Sequence, residues 1–230
     1  MSAEDNSTEF LIRIRRSISV ARFDSYKKSG CSDLSAFSTY LWNIQLCESL
    51  YTGFQILEVA YRNAVHREIG NALKCYDWLS AEPGFLYDSE LQDIRDAKKE
   101  IQKIRSLPVT EPFLVAEMSF GFWTSLLDSR YDRMWPKIIS GVFPNMPRTD
   151  RTRRDVSSLM QPVRKMRNKA MHHHSIWHWA DISNQHSKMM MLIAYICSNS
   201  AKMAAVLDRF PKIYSNGKAE CERIALSLAG

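Results

Sequence analysis

The sequence predicts an all-α protein, on three observations. Glycine and proline number only eight each in 230 residues. No stretch alternates apolar and polar side chains in the two-residue rhythm of a half-buried strand. Apolar residues recur instead at helical intervals. The longest series runs through Phe37, Leu41, Ile44, Leu50, Phe54, Leu57, Tyr61, Val65 and Ile69, and its steps of three, four and six keep one face apolar.

Taken in order, residues 19–28 read as a short helix stopped by Gly30. Ser32 or Asp33 caps the long apolar series, which Gly53 is expected to bend or break. Asp88 or Ser89 caps a highly charged helix reaching Ile104, with Leu91, Ile94, Ile101 and Ile104 facing inward and Pro108 closing it. Residues 113–127 are strongly apolar and read as one buried helix, weakened by Gly121. A loop of turn formers follows at 144–150 (PNMPRTD). Residues 156–172 return to helix, with an irregularity at Pro162, which has no N–H to donate. Residues 181–210 predict one long apolar helix, and 220–228 a short last one. With no repeat and no low-complexity linker, the expected organisation is a single α-helical domain over 1–230, with residues 1–30 as an N-terminal extension and 205–230 as a C-terminal helix.

Composition narrows the function. Hydrophobic residues make up 45% and charged residues 24%, an ordinary globular balance. A net charge of +6 favours polyanions, nucleic acid above all. The five cysteines are odd in number and form no CxxC, so neither a disulfide framework nor a zinc ribbon is expected. The polar start, with three acids before Phe10, is not a secretory signal. The most apolar run (MMMLIAYIC, 189–197) is nine residues, about half of a bilayer span. A reduced, soluble, cytoplasmic protein without membrane contact is expected.

The charge is concentrated. Between Arg148 and Lys169 stand eight bases (Arg148, Arg151, Arg153, Arg154, Arg164, Lys165, Arg167 and Lys169) against two acids, Asp150 and Asp155. A solvated helix face would interleave both signs. The segment reads as a footprint for phosphodiesters, and it runs directly into three histidines, His172, His173 and His174. On a continuous helix Asn168 and His172 share a face while Arg167 points well away from His172. A site using both therefore needs a helix end between them or a second copy of the chain. Two other readings stay open. His174 and His178, four apart, can pair on a metal, with Asp181 and His186 as the only further ligand candidates nearby. The histidines can also simply satisfy helix-end carbonyls and pack on Trp177.

Residues 167–172 (RNKAMH) fit the RNxxxH form of the HEPN ribonuclease motif. Three further segments, YLWN at 40–43, LEVAYRNA at 57–64 and MSFGFW at 118–123, stand in the order and at about the spacing of the Abi-like abortive-infection family, AbiD/AbiF branch. The resemblance covers roughly residues 15–200. It implies a HEPN-like helical bundle with additional N-terminal and C-terminal helices. It also implies a metal-independent, cofactor-free endoribonuclease acting as an antiphage effector or toxin, working as a homodimer and restrained by an antitoxin protein or RNA. Arg167, Asn168 and His172 match the motif position by position. His173 and His174 also fall within its permitted gap, so the acting imidazole stays open, with His172 selected by the RNxxxH form.

RNA carries its own nucleophile, a 2′-hydroxyl beside the scissile phosphorus, so cleavage needs positioning more than a metal-bound water. A histidine can accept the hydroxyl proton or donate to the 5′-oxygen, and an arginine fork can hold the phosphate as charge builds. Expected RNA contacts are Arg148, Arg151, Arg153, Arg154, Arg164, Lys169 and His173. Glu58, Arg62 and His66 fall on one helical stripe beside Asn63. They read either as an exposed ion pair or as a polar patch (Glu58, Arg62, Asn63) that orients Arg167 or His172. The aromatics of FGFW, with Trp42, Trp78 and Trp135, read as core before they read as base-stacking surfaces. The rival function is a non-catalytic RNA-binding protein of a phage-defence or toxin–antitoxin system.

Overall fold

The computed structural model describes residues 3–103 and 106–229, so the expected inward position of Ile104 lies outside the described residues. Helices follow one another throughout, and no strand occurs among the described residues. Contacts gather the chain into two compact units. The first takes the described residues of Met1–Thr52, Met166–Ser183 and Leu207–Gly230; the second takes Gly53–Lys165 and Asn184–Val206. No helix among the described residues is long and apolar enough to cross a membrane.

In the first unit, α1 (Ala3–Ile18), α2 (Val20–Asp24), the first half of α3 (Asp33–Leu73) and α13 (Ala219–Ala229) enclose one core. Phe23, Ala36, Phe37 and Ala225 are its buried centre, ringed by Phe10, Leu11, Ile14, Ile18 and Tyr40. Phe10 meets Phe37 edge-on at 5.6 Å. Each buried phenyl contributes about 1.5–3 kcal/mol. Ser19 caps α2 by accepting the Arg22 N–H, and Gly30 at φ +78° stands in the turn that follows. Ser32 caps α3, its hydroxyl accepting the Ser35 N–H at 3.2 Å. The C-terminal helix expected over 205–230 is two helices among the described residues, α12 (Phe210–Asn216) and α13, separated at Gly217, which takes φ +59°.

Gly53 does not interrupt α3. A Cβ there would lie 2.2 Å from Cε of buried Met189, so the glycine is a notch for the methionine. In the second unit α4 (Trp78–Ala81) and α5 (Asp88–Lys103) both pack on α6 (Glu111–Glu117). Trp78, Trp123, Trp135, Tyr61, Phe120, Phe122 and Phe143 are buried, which is the core reading of the aromatic segments. Three of their polar ends are satisfied: Trp78 Nε1 donates to the His66 carbonyl at 3.0 Å, Trp135 Nε1 to that of Leu126 at 2.6 Å, and the Tyr61 hydroxyl to that of Trp123 at 3.2 Å, whereas the buried Trp123 Nε1 meets no acceptor among the described residues.

Two expected helices are each split. Residues 113–127 fall into α6 and α7 (Phe120–Ser125), because Ser119 adopts extended backbone and caps α7 by accepting the Phe122 N–H at 3.1 Å. Residues 181–210 fall into α10 (Ile182–Ile196), α11 (Ser198–Leu207) and the first residue of α12. There Asn145 donates its side-chain amide to the Ala194 carbonyl at 3.0 Å and its backbone N–H to that of Tyr195 at 3.1 Å. Those carbonyls would otherwise accept from Ser198 and Asn199, so the ladder is interrupted at Cys197. One helix the sequence does not announce, α8 (Trp135–Val142), begins with Pro136 in its first turn.

Candidate active site at the end of helix α9

Helix α9 (Arg153–Met171) starts at Thr152, whose hydroxyl accepts the Asp155 N–H at 3.1 Å. It passes through Pro162 without ending. Its buried stripe, Val156, Met160, Val163, Met166 and Ala170, recurs every three or four residues and leaves the bases on the other faces.

The helix closes on the histidines. His172 N–H bonds to the Asn168 carbonyl at 3.0 Å, His173 N–H to Ala170 at 3.0 Å, and His174 N–H to Lys169 at 2.9 Å. The last two are the crossed pair of a Schellman closure, which requires a left-handed residue between them. His173 supplies it at φ +58°, where glycine is usual. All three imidazoles are exposed.

The turn beyond is tied down within the first unit. Asn43 Oδ1 accepts the backbone N–H groups of Ile176, at 2.8 Å, and Trp177, at 3.2 Å. Arg22 donates through Nη2 to the His173 carbonyl. Ile176 is fully buried, and Lys28 Nζ lies 5.1 Å from the Trp177 ring centroid. Asn43 is a site-supporting residue that spacing does not reveal as such, although it stands in the YLWN segment.

Arg167 is half-buried, and its Nη1 donates to Asn168 Oδ1 at 3.3 Å. The amide oxygen of Asn168 thus steadies the guanidinium. The helix runs on through Met171, so no end falls between Arg167 and His172, and helical geometry separates their directions by about 140°.

The remaining expected site residues divide by unit. Arg148 and Arg154 are exposed. Arg151 donates through Nε to the Met146 carbonyl at 3.0 Å and through Nη2 to that of Pro144 at 3.1 Å, which fixes the preceding loop. Arg153 pairs with Asp132 and donates to the Leu127 carbonyl at 2.6 Å. Arg164 is half-buried, with a buried Nε that meets no hydrogen-bond acceptor among the described residues. These five belong to the second unit, whereas half-buried Lys169 and exposed His173 belong to the first.

Glu58, Arg62 and Asn63 lie on the half of α3 in the second unit, with Glu58 half-buried and Asn63 exposed. Arg62 donates through Nη1 to the Ala116 carbonyl at 3.3 Å. Arg62, Asn63 and His66 line a cavity of about 450 Å³ with Glu111 and Tyr76. His66 Nε2 bonds to Glu111 Oε1 at 2.8 Å, and the carboxylate also accepts the N–H groups of Leu79 and Ser80 and the Ser80 hydroxyl. Burial pushes the Glu111 carboxyl up, but the bonds from His66, Ser80 and the two backbone groups outweigh it and hold its pKa below the ordinary value. Since a carboxylate only accepts, Nε2 of His66 carries the hydrogen. Glu111 has no visible signal in the sequence, because its partners lie 31 to 45 residues away. Among the described residues no three His, Cys, Asp or Glu side chains gather in a group that could hold a metal ion.

In the first unit, then, a steadied guanidinium and three exposed imidazoles occupy one helix end, the parts needed to hold a phosphate and move a proton. The chain matches no protein-family model, no curated protein and no solved structure.

Proposed function

We propose that the chain is a metal-independent endoribonuclease of the HEPN type, a cytoplasmic antiphage effector or toxin resembling the Abi-like family. One observation carries the reading: Arg167 and Asn168 stand four and three residues before the end of α9, and the adjoining Schellman closure presents three exposed imidazoles on a turn pinned by Asn43. A cap that bonds so many backbone groups fixes the backbone from which the three imidazoles project.

In the proposed reaction Arg167 holds the scissile phosphate. An imidazole takes the proton of the 2′-hydroxyl, whose oxygen attacks phosphorus. The bond to the 5′-oxygen breaks as that oxygen takes a proton from an imidazolium, so one proton is taken up and one given back. The products are a 2′,3′-cyclic phosphate and a 5′-hydroxyl. Because Arg167 and His172 diverge on one helix, the working site takes its guanidinium and imidazole from two copies of a homodimer.

The test is purified wild type against Arg167→Ala and His172→Ala on labelled total RNA with EDTA present, followed by end mapping. The reading expects chelator-resistant cleavage to cyclic-phosphate ends and a loss of about a hundredfold or more in each variant. Cleavage that stops with EDTA, or that survives both substitutions, overturns it. RNA binding by wild type without cleavage establishes the non-catalytic alternative instead.

A further inference from the structure

A cavity of about 220 Å³ in the first unit lies apart from the face of α9 that carries Arg167 in sequence and in lining. Its walls include Tyr26, Lys28, Ser35, Trp42, Trp177 and Lys218, drawn from the turn after α2, the start of α3, the turn after the histidines, and the residue before α13. We infer that this cavity binds a mononucleotide unit, a flat heterocycle carrying a phosphate.

Charge requires an anion. Two ammonium groups line the cavity, and among the described residues no carboxylate does. Lys218 is partly balanced, since its Nζ donates to Ser35 Oγ at 3.0 Å and approaches Glu222 at 3.1 Å. Lys28 is not. Its ammonium rests over the Trp177 ring with no carboxylate partner among the described residues. Placing a phosphate there gives Lys28 the counter-charge it lacks, and the Ser35 and Tyr26 hydroxyls offer further hydrogen bonds. Burial, opposed by Arg22, raises the Tyr26 pKa, so its phenol remains a donor.

Shape requires a flat ring. Two indoles and a phenol share one small space, and each is held. Trp42 Nε1 donates to the Ile213 carbonyl at 3.3 Å, the Trp177 backbone is bonded to Asn43, and Tyr26 packs edge-on against Tyr40 at 5.2 Å. Rigid aromatic walls bind a planar ring at low cost in lost freedom, and any nucleobase has such a face. The volume is below the roughly 300–1,000 Å³ of drug-sized pockets, which suits one ring and one phosphate rather than several nucleotides.

The ligand can be a free nucleotide or one unit of an RNA chain, and the site stands whether or not the protein cleaves RNA. The full chain is titrated calorimetrically with 5′-AMP, adenosine and inorganic phosphate in turn. The expected result is that 5′-AMP binds at least about tenfold more tightly than either fragment. Lys28→Ala weakens 5′-AMP by about tenfold, while Lys28→Arg keeps the affinity. Lys28 is exposed, so its replacement leaves the fold intact, which the melting curve checks. Arg167→Ala retains 5′-AMP binding.

A 2′-O-methyl RNA oligonucleotide distinguishes the sources. If it displaces 5′-AMP, the cavity takes a nucleotide within a chain; if it does not, the cavity takes the free molecule. The inference is overturned by absent 5′-AMP binding, by adenosine or phosphate binding as tightly as 5′-AMP, by an affinity indifferent to Lys28→Ala, or by loss of binding in Arg167→Ala. That last result would move the nucleotide to the end of α9. None of these outcomes depends on cleavage, so failure here and failure of the nuclease reading are separately visible.

Discussion

The side-chain oxygen of Asn43 accepts the backbone N–H of Ile176 at 2.8 Å across 133 residues of sequence, and both residues are buried. The same oxygen takes the N–H of Trp177. Asn43→Leu leaves both donors without an acceptor in a dry setting, and a loss of about 2–4 kcal/mol in urea unfolding is expected. Asn43→Asp retains an oxygen there and loses less. Equal losses in the two variants would show that the amide matters for packing rather than for the bonds.

His173 bears a left-handed backbone at φ +58°. That conformation costs a residue with a Cβ about 1 kcal/mol, which glycine avoids. His173→Gly is therefore expected to raise the melting temperature slightly. His173→Val, β-branched and worse suited to positive φ, lowers it. A melting temperature that falls in His173→Gly would mean the imidazole itself supports the turn.

Gly53 and Met189 form a pair for a double-mutant cycle. Gly53→Ala pushes a methyl into the Met189 thioether and costs about 1–3 kcal/mol by overpacking. In a Met189→Ala background the same substitution is close to neutral, since the obstructing group is gone. Additive effects in denaturant titrations would refute the direct contact.

The Glu111 carboxyl has a folded pKa below its ordinary 4.5, through the bonds from His66, Ser80 and the backbone that overcome burial. Its contribution to stability is complete above about pH 4.5 and is lost as pH falls through the lower folded value. Glu90, bonded by Tyr131, Ser125 and Ser89 and paired with Arg130, shifts in the same direction despite its burial. Glu111→Gln is expected to flatten the acid limb of a melting temperature–pH profile and to lower stability near neutrality. An unchanged acid limb would remove Glu111 from the account.

Thiol reactivity separates the cysteines. The Cys47 thiol is pushed up to about 11 by burial, against the opposing charge of Arg22. Cys197 is lowered by bonds from Ser200, its side chain first, and from the Asn199 backbone. Thiolate is the reacting form, so iodoacetamide at pH 8 modifies Cys197 well before Cys47. Peptide mapping of a time course reads the order, and labelling of Cys47 first would contradict it.

Periodicity in the sequence carries the long elements because their buried faces repeat. The stripe from Phe37 to Ile69 lies on α3 and is buried except at exposed Ile44 and half-buried Leu41, with Leu46 inside in their place, and the Ser32 cap is legible from residue type alone. What escapes the sequence has a tertiary cause. The interruption at Cys197 depends on Asn145 taking two carbonyls from a distant segment, and the apolar run reads straight through it. The split at Ser119 hides inside continuous hydrophobicity, where a serine's preference for capping outweighs the pattern around it. At the site, the Arg–Asn–His spacing is visible in the letters. The roles of Asn43 and Glu111 are not, because each is defined by partners far along the chain. The basic segment shows the limit of counting charges. Arg151 and Arg153 add to the local surplus yet hold backbone carbonyls, Arg151 in the loop before it and Arg153 at Leu127, while Arg148 and Arg154 remain exposed.

The closing end of α9 carries a further consequence. The carboxyl-terminal end of any α-helix concentrates roughly half an elementary negative charge, which repels an approaching phosphate. Here Lys169 stands in the last turn, and the carbonyls of Asn168, Lys169 and Ala170 are taken up by the histidine N–H groups. The cation in this last turn thus offsets part of the negative pole that would otherwise turn polyanions away.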